Sequence, residues 1–378
     1  MTTKTKDAVN RRTKKSPRVV ACDLFAGAGG LSLGAHQAGI EIAAAVEWDH
    51  HACETYRFNL IEKQRYNTLL YQNDTNDLDP QTLLDEAFER TGDCDLLLGG
   101  PPCQGFSTHR IKDKGVDDPR NQLLLRYFEF VRVLRPKFFV VENVPGLLWD
   151  RHKSYLAQFY SLAEKAGYGL MKPRLLNARD YGVPQNRKRV FILGYDLGEF
   201  TEAPAWPPNP THAAPGGATD LLDWRTAADA FKSRERRTDP NNVHMNHGAE
   251  LIEAFKRTPL NGGSRKDSGR VLPCHKNHDG HKDVYGRINP DHPGPTMTTA
   301  CVNPSKGRFV HPTEHHGITV RQAARLQTFP DWFVFSGGLM ASGAQVGNAV
   351  PVLLAQTLLE PLKQVIASAK ASNLRPAA

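Results

Sequence analysis

The sequence predicts an α/β fold: a Rossmann-like sheet with helices on both faces, accompanied by a small loop-rich segment. Three observations carry this reading. Short apolar runs alternate with helical stretches through the first 195 residues, the pattern of strands joined by crossover helices. The first of these runs opens onto a glycine-rich turn. After Tyr195 the character changes, and residues 200–310 are rich in Pro, Gly, Asn, His and basic side chains with little periodicity.

Taken in order, residues 1–17 are polar, basic and aperiodic, which reads as a disordered arm. Val19–Phe25 is expected as a strand, Gly30–Ala38 as a helix, Ile42–Glu47 as a strand and Asp49–Leu60 as a helix. A helix near Pro80–Arg90, a strand at Asp95–Leu98 and an amphipathic helix from about Asn121 to Leu134 come next. Lys137–Val144 is a strong buried strand, Lys153–Ala166 a helix and Arg187–Gly194 another strand. Because strands alternate with helices, the expected sheet is parallel. Helical character returns at Thr319–Gln327 and Asn348–Ile366. A core that resumes after a different segment points to a module (196–294) inserted near the end of one catalytic domain (18–195 and 295–378), or alternatively to residues 200–310 as the second lobe of a cleft.

The chain has 378 residues and a formal net charge of +8, enough for two domains with one inserted in the other. Residues 1–18 hold seven Lys/Arg against one Asp, and residues 230–310 hold fourteen against eight acidic residues, with six histidines. The rest of the chain is therefore mildly acidic, an arrangement that suits a catalytic body beside a polyanion-binding segment. The six cysteines at 22, 53, 94, 103, 274 and 301 are too scattered for a disulfide scaffold, which fits a reducing cytoplasm. No apolar run approaches membrane-spanning length and no signal-peptide core is evident.

Four stretches carry chemistry. Asp23-Leu24-Phe25-Ala26-Gly27-Ala28-Gly29-Gly30 comes after the first strand and opens a helix, so its backbone can approach a ligand closely. Glu47-Trp48-Asp49 ends the second strand, where an acidic residue bonds ribose hydroxyls. Together they imply an adenosine-containing cofactor. The turn has neither the G-x-G-x-x-G spacing of dinucleotide folds nor a P-loop lysine, so phosphate-free S-adenosylmethionine fits. Asn73-Asp74-Thr75 comes after a weak third strand; Asp74 is placed to meet an adenine amino group or to form an ordinary turn.

Gly99-Gly100-Pro101-Pro102-Cys103-Gln104-Gly105-Phe106-Ser107 succeeds the Leu96–Leu98 run, so a rigid turn holds Cys103 at a strand's carboxyl end. A structural cysteine is the alternative. Glu142-Asn143-Val144 closes the strongest strand at the same edge, where burial would raise a carboxyl pKa and favour a proton donor. In Gln185-Asn186-Arg187-Lys188-Arg189-Val190, alternation sends Arg187 and Arg189 to one face, where they could steady a thiolate or grip a carbonyl or phosphate.

With RQAARLQTFPDWF and GNAVP further on, these stretches fall in an order that resembles the bacterial DNA (cytosine-5)-methyltransferase family across residues 19–195 and about 295–365. The resemblance implies an S-adenosylmethionine-dependent methyltransferase sheet, with residues 196–294 as target recognition domain. It implies catalytic roles for Cys103, Glu142, Arg187 and Arg189: a thiolate that adds to cytosine C6, an acid near N3, and cations near O2 and the thiolate. It implies a cofactor pocket of Phe25, Ala28, Gly30, Glu47, Trp48, Asp74, Thr75, Gly100, Pro102, Leu123, Asn348 and Ala349. Thr75 departs from the isoleucine or valine commoner there. Gln104 to Arg120 reads as a loop closing over DNA.

The expected partner is double-stranded DNA, with the target cytosine flipped out. A cognate restriction endonuclease, a monomeric state and a nucleoid-associated cytoplasmic location complete the expectation. Cys274-His275-x-x-His278-x-x-His281, with His244, His247 and Cys301 nearby, offers zinc-ligand types without paired CxxC spacing, so no metal is expected. The competing activity is RNA (tRNA) cytosine-5 methylation on the same scaffold. A non-catalytic relic should have lost the Cys, Glu or Arg, and a cysteine hydrolase needs a paired histidine, of which only His109 is close in sequence.

Overall fold

Apolar runs too short for a helix become strands buried on both faces. In the computed structural model, which describes residues 17–89, 92–102, 122–217, 220–233, 236–269 and 283–373, β1 (Val20–Leu24) is buried throughout. A glycine turn leads to α1 (Gly30–Gln37) and then to β2 (Glu41–Glu47), buried from Ile42 onward. α2 (His50–Tyr56) continues as a π-helical turn to Lys63, and the exposed edge strand β3 (Leu69–Gln72) and the short α3 (Pro80–Leu83) come after it. Then come β4 (Leu96–Gly99), α4 (Gln122–Leu134), β5 (Phe138–Asn143) and α5 (Lys153–Lys165). β6 (Tyr168–Leu170) and β7 (Arg174–Asn177) precede the long β8 (Lys188–Asp196).

The strand order is β3-β2-β1-β4-β5-β8-β6, with β7 also pairing β8. β3, β2, β1, β4 and β5 are parallel, as expected, whereas β8 runs antiparallel to β5, β6 and β7. The all-parallel expectation fails there for a local reason: β7 folds onto β8 through a short turn at Ala178–Tyr181, with no crossover helix. Chain order reverses between β1 and β4, which opens a crevice at the carboxyl ends of the strands.

Side chains alternate across this sheet, and the two faces build two cores. Ala21, Leu96, Leu98, Phe138 and Val140 face a cluster that includes residues of α1 and of the C-terminal helices. Cys22, Leu97, Phe139 and Ile192 face Tyr127, Phe128 and Phe130 of α4 and Phe159 of α5.

Beyond β8 regular structure is sparse. β9 (His212–Ala213) pairs β10 (Leu222–Asp223), and α6 (Ala228–Phe231) and α7 (Ala249–Arg257) are short. Trp206, Ala227, Ala230, Ile288 and Met297 nonetheless belong to the first core. Where ladders are absent, buried Arg287 gathers carbonyls instead, donating to Phe255 (2.7 Å), Thr258 (3.1 Å) and His311 (2.7 Å).

The return to helix brings α8 (Val320–Leu326), α9 (Gly338–Asn348) and α10 (Val352–Asn373). The pattern predicts one helix over Asn348–Ile366. Instead Asn348 ends α9, and the chain breaks at Ala349–Pro351 because a proline cannot continue the hydrogen-bond ladder. Gly338–Ser372 is apolar enough, at mean hydropathy 1.2, to match a membrane span by composition and length. Here its apolar side chains, Val352, Leu354, Ala355, Leu358, Leu359 and Leu362 among them, are core. α10 lies so close to α1 that a Cβ on Gly34 would meet that of Ala355 at 2.4 Å.

Candidate active site

Loops at the carboxyl ends of the parallel strands line the crevice. After β1, Phe25 (φ 58°) and Gly27 (φ 56°) take left-handed conformations, and Gly27 donates its N–H to Glu47 Oε2 at 2.8 Å. A Cβ at Gly27 would meet nothing within 4 Å, so the turn has open space over it, while Ala28 behind it is buried. Glu47 Oε1 accepts from Trp48 N (2.9 Å) and Asp49 N (2.8 Å). Burial pushes the Glu47 carboxyl pKa up, opposed by these three backbone donors. A carboxylate has about four lone-pair sites, so one remains for an incoming hydroxyl. Trp48 is 70% exposed, an aromatic face held at the rim of the sheet.

After β3, Asp74 Oδ1 accepts from Asn76 N at 2.9 Å, an Asx turn that fixes the loop. Thr75 is buried, and its Oγ1 has no hydrogen-bond partner among the described residues. Arg126 of α4, one turn past Leu123, donates Nε to Thr75 O (2.8 Å) and Nη2 to Leu78 O (2.7 Å). Nothing in the sequence singles out this arginine; it sits on the polar side of an amphipathic helix, and only packing reveals its partners.

After β4, Gly99 lies against Tyr127, and a Cβ on Gly100 would come within 3.3 Å of Glu142 Oε2. Pro101 is buried and Pro102 exposed. Glu142 lies near the end of β5, 8% exposed, with Arg189 Nε of β8 at 3.0 Å from its Oε1 as an ion pair. That oxygen makes no aligned hydrogen bond among the described residues, and a buried acceptor of this kind suits a partner supplied by a ligand. Cys103 and the loop from Gln104 to Arg120 lie outside the described residues.

Arg187 lies on the same inward face as Arg189, with Lys188 between them exposed, and Arg189 and Glu142 are both among its charged neighbours. It precedes β8, is 1% exposed, and donates to the carbonyls of Met297 (2.8 Å), Gly347 (2.9 Å) and Ala349 (3.1 Å). Its neighbour Gln185 donates to Leu326 O and Gln327 Oε1 and accepts from Met297 N, and Gln327 in turn reaches Val346 and Ala349. This clasp fixes the α9–α10 break against the glycine turn: a Cβ on Gly30 would meet Val350 O at 2.5 Å and Ala349 Cβ at 3.3 Å. Asn348 stays exposed beside it. Alternation puts Arg187 and Arg189 on one face, and the pattern reaches one residue ahead of the strand, where Ala178 N still donates to Arg187 O at 2.8 Å. What alternation does not give is the set of carbonyls that Arg187 meets.

Beneath the turn, Asp23 is buried and accepts from Ser32 Oγ at 2.6 Å, and Ser32 accepts from Tyr56 Oη at 3.0 Å. Burial is the main cause that pushes its pKa up to about 7, and Glu47 adds to it. An unfolded aspartate ionises near its ordinary 3.8, so the folded state holds an extra proton between about 4 and 7. This carboxyl therefore contributes stability that is fully present below pH 4 and is lost as pH rises to 7. Asp23→Asn is expected to abolish that loss, on the order of a few kcal/mol. Urea unfolding of both proteins at pH 5 and pH 8 checks it; an unchanged difference between the two pH values would refute the assignment.

The histidines and cysteine near the zinc-like motif have protein partners where they are described. His244 stacks on His316 with centroids 3.9 Å apart, His247 Nε2 accepts from Gly317 N, and the Cys301 thiol points at Gly343 O. Residues 274–281 lie outside the described residues.

A family model described as C-5 cytosine-specific DNA methylase matches residues 19–364. The Type II methyltransferase M1.HphI of Haemophilus parahaemolyticus is 36% identical over 89% of this chain and 85% of its own length. M.XorII of Xanthomonas oryzae is 33% identical over 90% and 84% respectively. A crystal structure of a prophage-encoded DNA modification methyltransferase of E. coli superposes with a TM-score of 0.72 at 26% identity, covering 92% of this chain and 99% of that one.

Proposed function

The chain belongs to the C-5 cytosine-specific DNA methylase family, and from that premise we propose how its residues divide the work of methylating cytosine C5 in DNA with S-adenosylmethionine as donor. The observation that carries the reading is the Glu142–Arg189 pair, 3.0 Å apart and packed against Gly100 at the mouth of the Pro-Pro turn that leads to Cys103.

Cytosine C5 is a weak nucleophile. Addition of the Cys103 thiolate to C6 pushes the ring electrons toward N3 and O2 and makes C5 enamine-like, splitting one hard step into easier ones. Glu142 holds a proton at N3 and Arg189 lies against O2, so the charge that develops there is met by groups already fixed by the sheet. S-adenosylmethionine, when bound, supplies an electrophilic methyl group to that carbon. Loss of the C5 proton to a base then expels Cys103.

Phe25, Ala28 and Gly30 offer the glycine turn to the cofactor, Glu47 its free lone pair to the ribose, and Trp48 its ring to the adenine. Asp74 and Thr75 meet the adenine edge, Gly100, Pro102 and Leu123 the side toward Cys103, and Asn348 and Ala349 the opposite wall. Arg187 acts through these last two as a positioning residue. The basic segment within 196–294 serves target recognition by groove contacts, with the flipped base entering the crevice. The protein acts in the cytoplasm as the modification partner of a restriction endonuclease, in keeping with relatives named Type II methyltransferases.

Transfer of labelled methyl from S-adenosylmethionine to duplex DNA, with tRNA as a competing substrate, tests the reading. Label on DNA cytosine supports it, and label on RNA alone overturns it. Bisulfite sequencing of DNA from expressing cells then gives the target site. Arg126→Ala, which frees the Thr75 and Leu78 carbonyls, is expected to raise the cofactor KM roughly tenfold with kcat little changed, the loss of one to two hydrogen bonds to a charged group. An unchanged KM in initial-rate assays would remove Arg126 from the cofactor site.

A further inference from the structure

Next to the proposed cofactor residues Glu47 and Trp48, at the carboxyl end of β2, two imidazoles and a carboxylate converge on the first turns of α2. Asp49 caps that helix through Ala52 N, so its first turn is well fixed. His50 and His51 stand in that turn, and Glu54 lies one turn on, the i,i+4 and i,i+3 spacing that brings side chains together. His50 Nε2 is 3.4 Å from Glu54 Oε1, and His51 Nδ1 is 3.4 Å from Glu54 Oε2. One ligand atom from each of the three residues lies within 4.8 Å of the others.

We propose that His50, His51 and Glu54 form a binding site for a divalent transition metal of the zinc or nickel type, presented on the surface with open coordination positions. Bonds of about 2.0–2.1 Å at tetrahedral angles place neighbouring ligand atoms roughly 3.3–3.4 Å apart. Each imidazole is already at about that distance from one carboxylate oxygen, His50 from Oε1 and His51 from Oε2, longer than a good hydrogen bond, so a turn of the Glu54 carboxylate brings one oxygen to both. Imidazole nitrogen with one carboxylate oxygen is a donor set for zinc, nickel or copper and a poor one for magnesium or calcium. The side chains are 64%, 45% and 42% exposed, so an ion reaches them without opening the fold.

The frame behind them is rigid. The His51 ring sits on the backbone of Gly337 (φ 96°), where a Cβ would come within 2.5 Å of it. Thr55 Oγ1 donates to Gln345 Oε1 (2.7 Å) and accepts from Ser336 N (2.8 Å), tying α2 to α9. A ligand held in one rotamer loses less entropy on binding the ion than a free surface histidine.

Calorimetric titration of the full, untagged chain with nickel, after chelator treatment and removal of the chelator, tests the site. One equivalent should bind to the native chain, and His51→Asn and Glu54→Gln should each weaken it at least about tenfold, while His278→Asn leaves it unchanged. With cobalt, the same equivalent should show visible d–d absorption without a thiolate charge-transfer band, which separates it from any site using Cys274. Equal binding by the native chain and both α2 variants, or loss only in His278→Asn, would overturn the proposal. The two α2 side chains are on the surface, so circular dichroism and the melting temperature should be unaltered in both of those variants.

Discussion

Cys103→Ser is expected to lower methyl transfer to DNA by at least about a thousandfold while leaving cofactor binding intact, because the serine hydroxyl cannot replace the thiolate that activates C5. Equilibrium binding of S-adenosylmethionine and single-turnover transfer to duplex DNA separate the two quantities. The covalent step has its own signature. On a duplex carrying 5-fluorocytosine at the target, the C5 substituent cannot leave as a proton, so the native chain should remain attached to DNA under denaturing conditions. Cys103→Ser should release it. Normal turnover by the serine variant would overturn the mechanism, and loss of cofactor binding would show instead that the variant had damaged the crevice.

Arg187→Met is expected to cost roughly 3–5 kcal/mol of stability, since it leaves three buried carbonyls, those of Met297, Gly347 and Ala349, without this donor. Lysine should recover only part of this, because one ammonium lacks the planar fork that reaches three carbonyls. Urea unfolding measures the loss. A change of less than about 1 kcal/mol would contradict the clasp. Kinetics distinguish positioning from direct chemistry: at a temperature where Arg187→Lys remains folded, the cofactor KM should rise as Ala349 shifts. The salt dependence of DNA binding should be unaltered. A shallower salt slope would return Arg187 to phosphate contact.

The difference between the two arginines of QNRKRV shows how far the sequence could be read. Arg189 lies within β8, two residues before Phe191, the register partner of Glu142, and alternation turns it to the face where it pairs with Glu142. The same alternation turns Arg187 inward, but its hydrogen-bond partners come from segments 110 and 160 residues away, which no local pattern specifies. The same limit applies to Arg126, whose carbonyl partners lie 48 and 51 residues upstream. It applies again to His50, His51 and Glu54, whose spacing is visible in the sequence while the seat that Gly337 makes for His51 is not.

Local chemistry was legible wherever one element decides it. Glycines after β1, an acid after β2, two prolines after β4 and a carboxylate near the end of β5 are each fixed by strand ends, and a parallel sheet brings strand ends to one edge. That determined the fold class, the cofactor type and the family. The carbonyl partners of Arg187 and Arg126, the Glu142–Arg189 pair and the raised pKa of Asp23 were decided by tertiary structure. Each depends on which distant carbonyl, carboxylate or apolar surface arrives beside a residue, and burial converts that neighbour into the dominant energy term.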